Sequence, residues 1–406
     1  MVIVQINQTY NIGSTGKIMH DLDCVIRNSG HDSYMVAGYS NDHSPSNLFC
    51  ANSGNSYFPI RKDQVIFRIT GKNGYRYENR TKKIVDWIDS KKPDVIHLHN
   101  IHGDWLHLET LFKYIKKNKV AVVWTLHDCW AFTGRCSHFV SVNCEKWKTK
   151  CEKCINKSTY PISYFFDRSK EMYEDKKRLF MNIDNLTIVT PSVWLSKIVK
   201  KSFLCQYPIK VIPSGINTEI FLPKKEKSSI YSKIGDKHII LGVANSWTDS
   251  KGFNDFIRLD SILDHDRYQI VMVGLNKRQL KQIPKTIVGI SKTTNQYQLA
   301  ELYSGASCYL NCSKLETQGL TTVEALACGT PVVVYNKSAI PEVVGDGCGA
   351  VLDTTTPTDV KKVVEYICEE SKNKSCMCRE HVIEHYRSSD RFDDYLSLYI
   401  SVGGIS

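Results

Sequence analysis

Two glutamates eight residues apart offer the most chemistry in this chain: Glu316 and Glu324, in the run Glu316-Thr317-Gln318-Gly319-Leu320-Thr321-Thr322-Val323-Glu324. A strand ending at Asn311 leads into the loop bearing Glu316. A helix is expected to open near Leu320 or Thr321 and to stop at Gly329. An opening helix offers unpaired backbone N–H groups and a partial positive charge, which suits a diphosphate. Glu316 then stands just before this anion site and Glu324 one turn inside the helix. The two carboxylates could reach different hydroxyl-rich parts of one ligand, with its phosphates between them. Spacing alone would also fit two exposed glutamates in surface ion pairs.

Other chemistry-bearing residues gather at the ends of short apolar runs. His99 and Asn100 follow Asp94–Leu98, and His127 with Asp128 follows the run that begins at Ala121. Side chains at the carboxyl ends of parallel strands can line a ligand site, whereas His97, inside its run, reads as a hydrogen-bonded core residue. Gly13-Ser14-Thr15-Gly16-Lys17 superficially suggests a phosphate loop. That motif needs four residues between its glycines and a hydroxyl residue after the lysine; here there are two, followed by Ile18. No G-x-G-x-x-G follows either leading strand, which argues against a dehydrogenase. Cys136, Cys144, Cys151 and Cys154 end in a C-x-x-C pair and could hold a structural zinc, with Cys129 and His138 as substitutes. Reduced thiols or a local disulfide fit the same spacing. Most of the other cysteines, of fifteen in all, read as small buried apolar residues.

These groups need a scaffold, and two passes of alternating strand and helix are legible. The first runs from Val2–Ile6 through a helix beginning near Ser14 or Thr15, whose hydroxyls suit an N-cap, and ending at Gly30. Strands Tyr34–Ala37, Asp94–Leu98, Ala121–Leu126 and Leu186–Val189 follow. The second pass begins after Val211–Gly215, with strands Ile239–Val243, Ile270–Val273, Ile287–Ile290, Cys308–Leu310 and Pro331–Val334. Helices are expected at Leu299–Tyr303 and Thr322–Ala327. Strands this apolar are covered on both faces, which predicts an α/β protein of two doubly wound parallel-sheet domains meeting near residues 200 to 210. A ligand cleft would lie at the carboxyl ends of the two sheets.

Composition agrees with an ordinary globular chain of 406 residues, 42% apolar and 23% charged. No secretory signal is visible, and no run approaches the ~18 apolar residues of a membrane span, so the expected location is the cytoplasm. The formal charge of +11 favours acidic partners. Its densest basic stretch, Arg61 to Lys83, reads either as a solvated helix and loop or as a peripheral contact with the inner face of the cell membrane. The charge and the cysteine cluster also motivate a rival reading, a zinc-ribbon nucleic-acid-binding protein. No recognised nucleic-acid module supports it, so no nucleic acid is expected as a partner.

Glu316 to Glu324, with the continuation Ala325-Leu326-Ala327-Cys328-Gly329-Thr330-Pro331, resembles the E-x-seven-E motif of family 4 retaining glycosyltransferases. The resemblance extends over nearly the whole chain, through Asn7–Gly16, Pro93–Asn100, Thr125–Asp128, Ile212–Asn217 and Lys251-Gly252. It is nearest to enzymes of capsule, O-antigen and exopolysaccharide synthesis. It implies a GT-B fold: an acceptor-binding domain over 1–205 with a returning helix at 388–406, and a donor-binding domain over 206–387. It implies transfer from a nucleotide-diphosphate sugar, uridine-linked by preference, to a glycan or lipid-linked acceptor, with no cofactor or metal in catalysis. A phosphorylase or a nucleotide-sugar epimerase on the same fold is the alternative.

The resemblance also assigns roles. Glu316 holds the donor sugar, Glu324 the ribose, and Lys251 neutralises the leaving diphosphate. His127 lies near the donor sugar. Gly13, Gly16, Asn245, Ser246, Gln318, Gly319, Leu320 and Thr321 complete the donor site, and His99, Asn100 and Asp128 the acceptor side. Two departures stand out: Ala244-Asn245-Ser246-Trp247 carries no arginine before the lysine, and Gln318 replaces an aromatic residue.

Overall fold

The computed structural model describes residues 1–40, 45–52, 65–157, 161–224 and 228–404. The chain divides into two compact units, Met1–Ile212 with Phe392–Ser406, and Pro213–Arg391. In unit 1, strands β1 (Val2–Tyr10), β2 (Asp32–Ser40), β3 (Leu48–Asn52), β4 (Val95–Leu98), β5 (Ala121–Thr125), β6 (Leu186–Thr190) and β7 (Ile209–Val211) form a seven-stranded sheet of order β3-β2-β1-β4-β5-β6-β7. Every pairing in it is parallel. Helices α1 (Gly13–Asn28), α2 (Glu78–Lys91), α3 (Leu108–Asn118), α4 (Ser169–Phe180) and α5 (Val193–Val199) connect them. β4 and β5 are buried at every position, as strands covered on both faces must be.

Unit 2 repeats the plan. Strands β8 (His238–Val243), β9 (Tyr268–Val273), β10 (Val288–Ile290), β11 (Cys308–Asn311), β12 (Val332–Tyr335) and β13 (Gly349–Leu352) lie in the order β10-β9-β8-β11-β12-β13. The helices are α6 (Phe253–Asp260), α7 (Gln279–Gln282), α8 (Gln296–Ser304), α9 (Leu320–Ala327), α10 (Pro357–Glu369) and α11 (Ser371–Tyr386). A last helix, α12 (Ser388–Gly403), brings Phe392, Tyr395, Leu398 and Tyr399 into one cluster with Ile3, Val95, Val123 and Val189 of unit 1.

In each sheet the strand order reverses once, between β1 and β4 and between β8 and β11. At such a point the loops leaving two neighbouring strands diverge to opposite faces and leave a crevice at the strands' carboxyl ends.

Three sequence expectations change. Strand β7 hydrogen-bonds β6 through Ile188↔Ile209, so unit 1 extends to Ile212 rather than 205. On the return, Ser388 N–H still donates to Ile216 O at 3.0 Å, and the chain rejoins unit 1 at Phe392 rather than 388. Helix α1 starts at Gly13, with Ile12 as its N-cap and no side-chain cap, so Ser14 and Thr15 lie in its first turn.

Candidate functional site

At the reversal in unit 2, the loops after β8 and β11 are stitched together. Gly252 has φ +81° and packs so closely that a Cβ there would lie 2.3 Å from Cys312 Cβ. Only glycine fits that conformation and that approach. Lys314 N–H donates to Ser250 O at 2.8 Å, and Lys314 Nζ meets Asp249 Oδ2 at 2.7 Å. This seam sets Lys251 against Glu316, whose Oε1 accepts from Lys251 Nζ and, at 3.0 Å, from Ser313 Oγ. Both side chains are partly exposed, 33% and 20%, so the pair is fixed by the fold yet open to a ligand. Ser338 Oγ accepts the Glu316 N–H at 2.8 Å. Asn311 holds the loop from below, through Ser313 N–H and Thr322 Oγ1.

Immediately afterwards Gly319, with φ +93°, opens α9 with no side-chain cap. Leu320 and Thr321 therefore contribute the first helical amides beside the Lys251–Glu316 pair. Glu324 lies one turn further on and accepts from Tyr303 Oη at 3.0 Å. Burial pushes its carboxyl up to about 7, against the lowering pull of the Tyr303 hydroxyl. Asn245 and Ser246 are exposed after β8, on a turn anchored by buried Trp247, whose Nε1 donates to Val273 O at 2.8 Å.

Gln318 differs from its expected place among donor-binding side chains. It is 4% exposed. Its Oε1 accepts the Ser214 N–H and its Nε2 donates to Ser214 O, both at 2.8 Å. Both ends of the amide are spent on one backbone residue, as in a strand pair.

In unit 1 the reversal point gathers the other expected residues. Gly16 faces Thr9 so closely that a Cβ would lie 2.9 Å from Thr9 Oγ1, and Asn11 N–H donates to Gly16 O at 3.1 Å. Gly13, with φ +66°, has open space where a Cβ would stand. Asn7 bridges the loops: its Nδ2 donates to Thr9 O at 2.8 Å, while Oδ1 accepts the Asn100 N–H at 3.1 Å.

Behind them runs a row of buried polar groups. Gln5 Nε2 donates to Met19 O at 3.2 Å, which turns Gln5 Oε1 toward His99 Nε2 at 3.3 Å. His99 Nε2 must then carry the proton, so His99 Nδ1 accepts from His127 Nε2 at 3.2 Å. Burial lowers His127 to about 4 and His99 well below its usual range, so both are neutral at neutral pH. Asp128 is held by its own loop, through Trp130 N–H at 2.8 Å, and by the loop after β4, through His102 Nε2 at 3.1 Å. Burial opposes its charge, but the His102 pair prevails and holds it down at about 2. His97 is a core residue, between Tyr399 Oη at 2.6 Å and Thr125 Oγ1 at 2.8 Å.

The loop after His127 rests on a lysine that the sequence did not single out. Lys176 is 2% exposed; its Nζ donates to Trp130 O at 2.7 Å and Thr133 O at 3.1 Å, 3.6 Å over the Trp130 ring. Its helix reads as amphipathic with surface lysines, and nothing in the spacing marks this one. Tyr303 carries no signal either. Gln5 does: a glutamine inside Val2–Ile6 is a polar residue in a fully apolar strand.

Cys136, Cys144, Cys151 and Cys154 lie near enough to act on one another's charge, Cys136 on Cys154 and Cys151 on Cys144. Among the described residues no group of three or more histidine, cysteine, aspartate or glutamate side chains is arranged to hold a metal ion. Cys136 and Cys154 form a thiol pair, in which the bond to Cys136 lowers the Cys154 thiol. Cys151 Sγ instead accepts Gly134 N–H at 3.1 Å. In the basic stretch, residues 61–64 lie outside the described residues. Arg76 is held by Asp104 at 3.2 Å, and Arg80 by Asn52 Oδ1 at 2.9 Å and Trp105 O at 2.7 Å, so these two brace the fold. Among the described residues, no helix is long and apolar enough to cross a membrane.

Two doubly wound parallel sheets carry, in unit 2, a carboxylate, a lysine and an uncapped helix at a strand-order reversal, an arrangement whose chemistry suits a phosphorylated ligand. Comparison with known proteins makes this specific. Residues 19–220 match the model of Glycosyltransferase Family 4 and residues 224–384 that of glycosyl transferases group 1. The chain belongs to this family of glycosyltransferases. It is 26% identical over 284 residues to the colanic acid biosynthesis glycosyl transferase WcaC of Escherichia coli, covering 67% of this chain and 66%, just under two thirds, of that protein. It is 23% identical over 373 residues to a 41.2 kDa protein in the cps region of Klebsiella pneumoniae, covering 89% and 93% of the two chains. Anabaena Alr3699/HepE, solved with UDP and glucose, superposes with a TM-score of 0.66 over 98% of both chains at 11% identity. The shared fold is GT-B.

Proposed function

We propose that this glycosyltransferase takes a sugar from a uridine-diphosphate donor, with retention of anomeric configuration, and places it on a glycan or lipid-linked acceptor in surface polysaccharide assembly at the cytoplasmic face of the membrane. The observation that carries the reading is the Lys251–Glu316 pair beside the uncapped start of α9. A diphosphate competes with Glu316 for the Lys251 ammonium while the first amides of α9 take its remaining charge. Glu316, released, accepts hydroxyls of the transferring sugar. Glu324 takes the ribose. In unit 1, the neutral His127, at the carboxyl end of β5, contacts a sugar hydroxyl. With Lys251 and the helix amides carrying the leaving charge, catalysis calls for no divalent metal. The uridine base is supported by HepE, solved with UDP, and the polysaccharide role by the names of WcaC and the cps-region protein.

The test is thermal unfolding with UDP, GDP, ADP and CMP in turn, on wild type and on Lys251→Ala. A ligand bound only by the folded state raises the midpoint. UDP is expected to raise it for wild type and much less for the variant. A shift with GDP or ADP instead moves the donor base; an equal UDP shift in Lys251→Ala removes that lysine from the site.

A further inference from the structure

Fourteen large apolar side chains stand exposed among the described residues, and six of them share one region of unit 1: Val65, Ile69, Ile155, Tyr164, Phe165 and Phe166. Both exposed phenylalanines of that set are here, Phe165 at 70% and Phe166 at 52%. Three consecutive aromatic side chains in water are unfavourable, and a contiguous patch of this kind marks a surface made to be covered.

The backbone presents them firmly. Tyr164 N–H donates to Arg68 O at 2.9 Å, which joins the loop to the helical residues 65–70 that carry Val65 and Ile69. Ser163 Oγ donates to Phe166 O at 2.7 Å, and Cys154 N–H donates to Asp167 Oδ2 at 2.6 Å, which draws Ile155 alongside. Gly71, at φ +70°, packs so closely that a Cβ there would lie 2.7 Å from Phe166 O. The aromatic tips thus point outward from an anchored loop.

The same segment is cationic: residues 145–170 hold seven lysines or arginines against three acids. Lys153, Arg168 and Lys170 are exposed around the patch. Their acidic neighbours, Glu171 at 3.4 Å from Arg168 and Glu174 at 3.9 Å from Lys170, form surface pairs and leave seven cations against five acids over residues 145–174. Aromatic residues ringed by cations match a bilayer surface, where the rings settle at headgroup depth and the cations meet lipid phosphates. A second copy of this chain would bring the same positive charge against itself.

We propose that Ile155 and Tyr164–Phe166, with Val65 and Ile69, are the face by which unit 1 docks onto an anionic lipid bilayer. This shifts the contact away from Arg76 and Arg80, which are committed inside the fold. It does not rest on the donor assignment, because docking is read with no nucleotide present.

The experiment is flotation of the full chain with vesicles of phosphatidylethanolamine and phosphatidylglycerol, and with vesicles of phosphatidylcholine alone. Wild type is expected to float with the anionic vesicles, less so in high salt, and to stay behind with the neutral ones. Phe165→Ser/Phe166→Ser should lower anionic partitioning by at least about tenfold, and Lys153→Glu/Lys170→Glu severalfold, each with an unchanged melting midpoint. The proposal is overturned if wild type ignores anionic vesicles, binds both kinds equally, or partitions no better than the aromatic variant. It is also overturned if wild type is a lipid-free dimer that the aromatic variant turns into a monomer.

Discussion

Replacing Gln318 with leucine separates two roles that the sequence had merged. If the amide read the donor, its loss would weaken nucleotide binding and leave stability largely alone. Its two 2.8 Å bonds to Ser214 predict the reverse. Leucine fills similar volume but leaves a backbone N–H and a backbone C=O without partners, at ~1–3 kcal/mol each. Ser214 is half-buried, so water relieves part of this and the lower end applies, about 2–4 kcal/mol in total. For a unit the size of Pro213–Arg391, that corresponds to a fall in Tm of roughly 4–15 °C. Gln318→Glu is the sharper control. A carboxylate still accepts the Ser214 N–H but repels the carbonyl, so it should lose as much stability at neutral pH and recover as acid protonates it. Calorimetric melts would be run beside titration with UDP under conditions where each variant is folded. The reasoning is refuted if Gln318→Leu melts like wild type while its UDP affinity drops tenfold or more.

Two further outcomes follow from buried ionisable groups. The Glu324 carboxyl is raised to about 7 from 4.5, so the folded protein holds the extra proton between those values and this group's contribution to stability falls as pH rises across them. If the carboxylate form accepts ribose hydroxyls, UDP affinity should climb through about pH 7, by up to about tenfold per unit, and flatten in Glu324→Gln. The titration of the nucleotide's own phosphate is common to both proteins and cancels; parallel pH profiles would remove Glu324 from the ribose. Burial lowers Lys176 from 10.5 to about 7, so the unfolded chain binds more protons across that window and stability rises with pH there, by at most about 1.4 kcal/mol per unit. Lys176→Met should remove that slope in urea unfolding, and an unchanged slope would place the ammonium in water.

Much of the scaffold was legible because parallel strands advertise themselves. Val95–Leu98 and Ala121–Thr125 are apolar but for His97 and Thr125 and are buried at every residue, and their ends place His99 and His127 at carboxyl edges. The strands that escaped notice are short or at the edge of a sheet: Leu48–Asn52, Ile209–Val211 and Gly349–Leu352 lie at the sheet edges and carry weaker apolar runs. Missing Ile209–Val211 is what placed the domain boundary too early. At the site, spacing found Glu316 and Glu324 because a loop-then-helix arrangement ties them to one crevice. The partners of these residues are another matter. Tyr303 reaches Glu324 across twenty-one positions and Gln318 reaches Ser214 across one hundred and four. Contacts that distant leave no local pattern. Lys176 fails for a different reason: its burial depends on the Trp130–Thr133 turn folding over it, and a lysine in an amphipathic helix looks the same with or without that roof.

The return of α12 to unit 1 has a consequence for how the protein is made. Tyr399 and Tyr395 complete the hydrogen bonding of His97 and Thr125, at 2.6 and 3.0 Å. Both tyrosines leave the ribosome only after all of Pro213–Arg391. Unit 1 therefore emerges first but must wait, with a polar wound in its sheet, while unit 2 acquires every residue it needs. Nascent chains arrested anywhere before residue 392 would expose that wound, along with the apolar surface later covered by Phe392 and Leu398. The histidine inside β4 thus ties the closing of the first sheet to the arrival of α12.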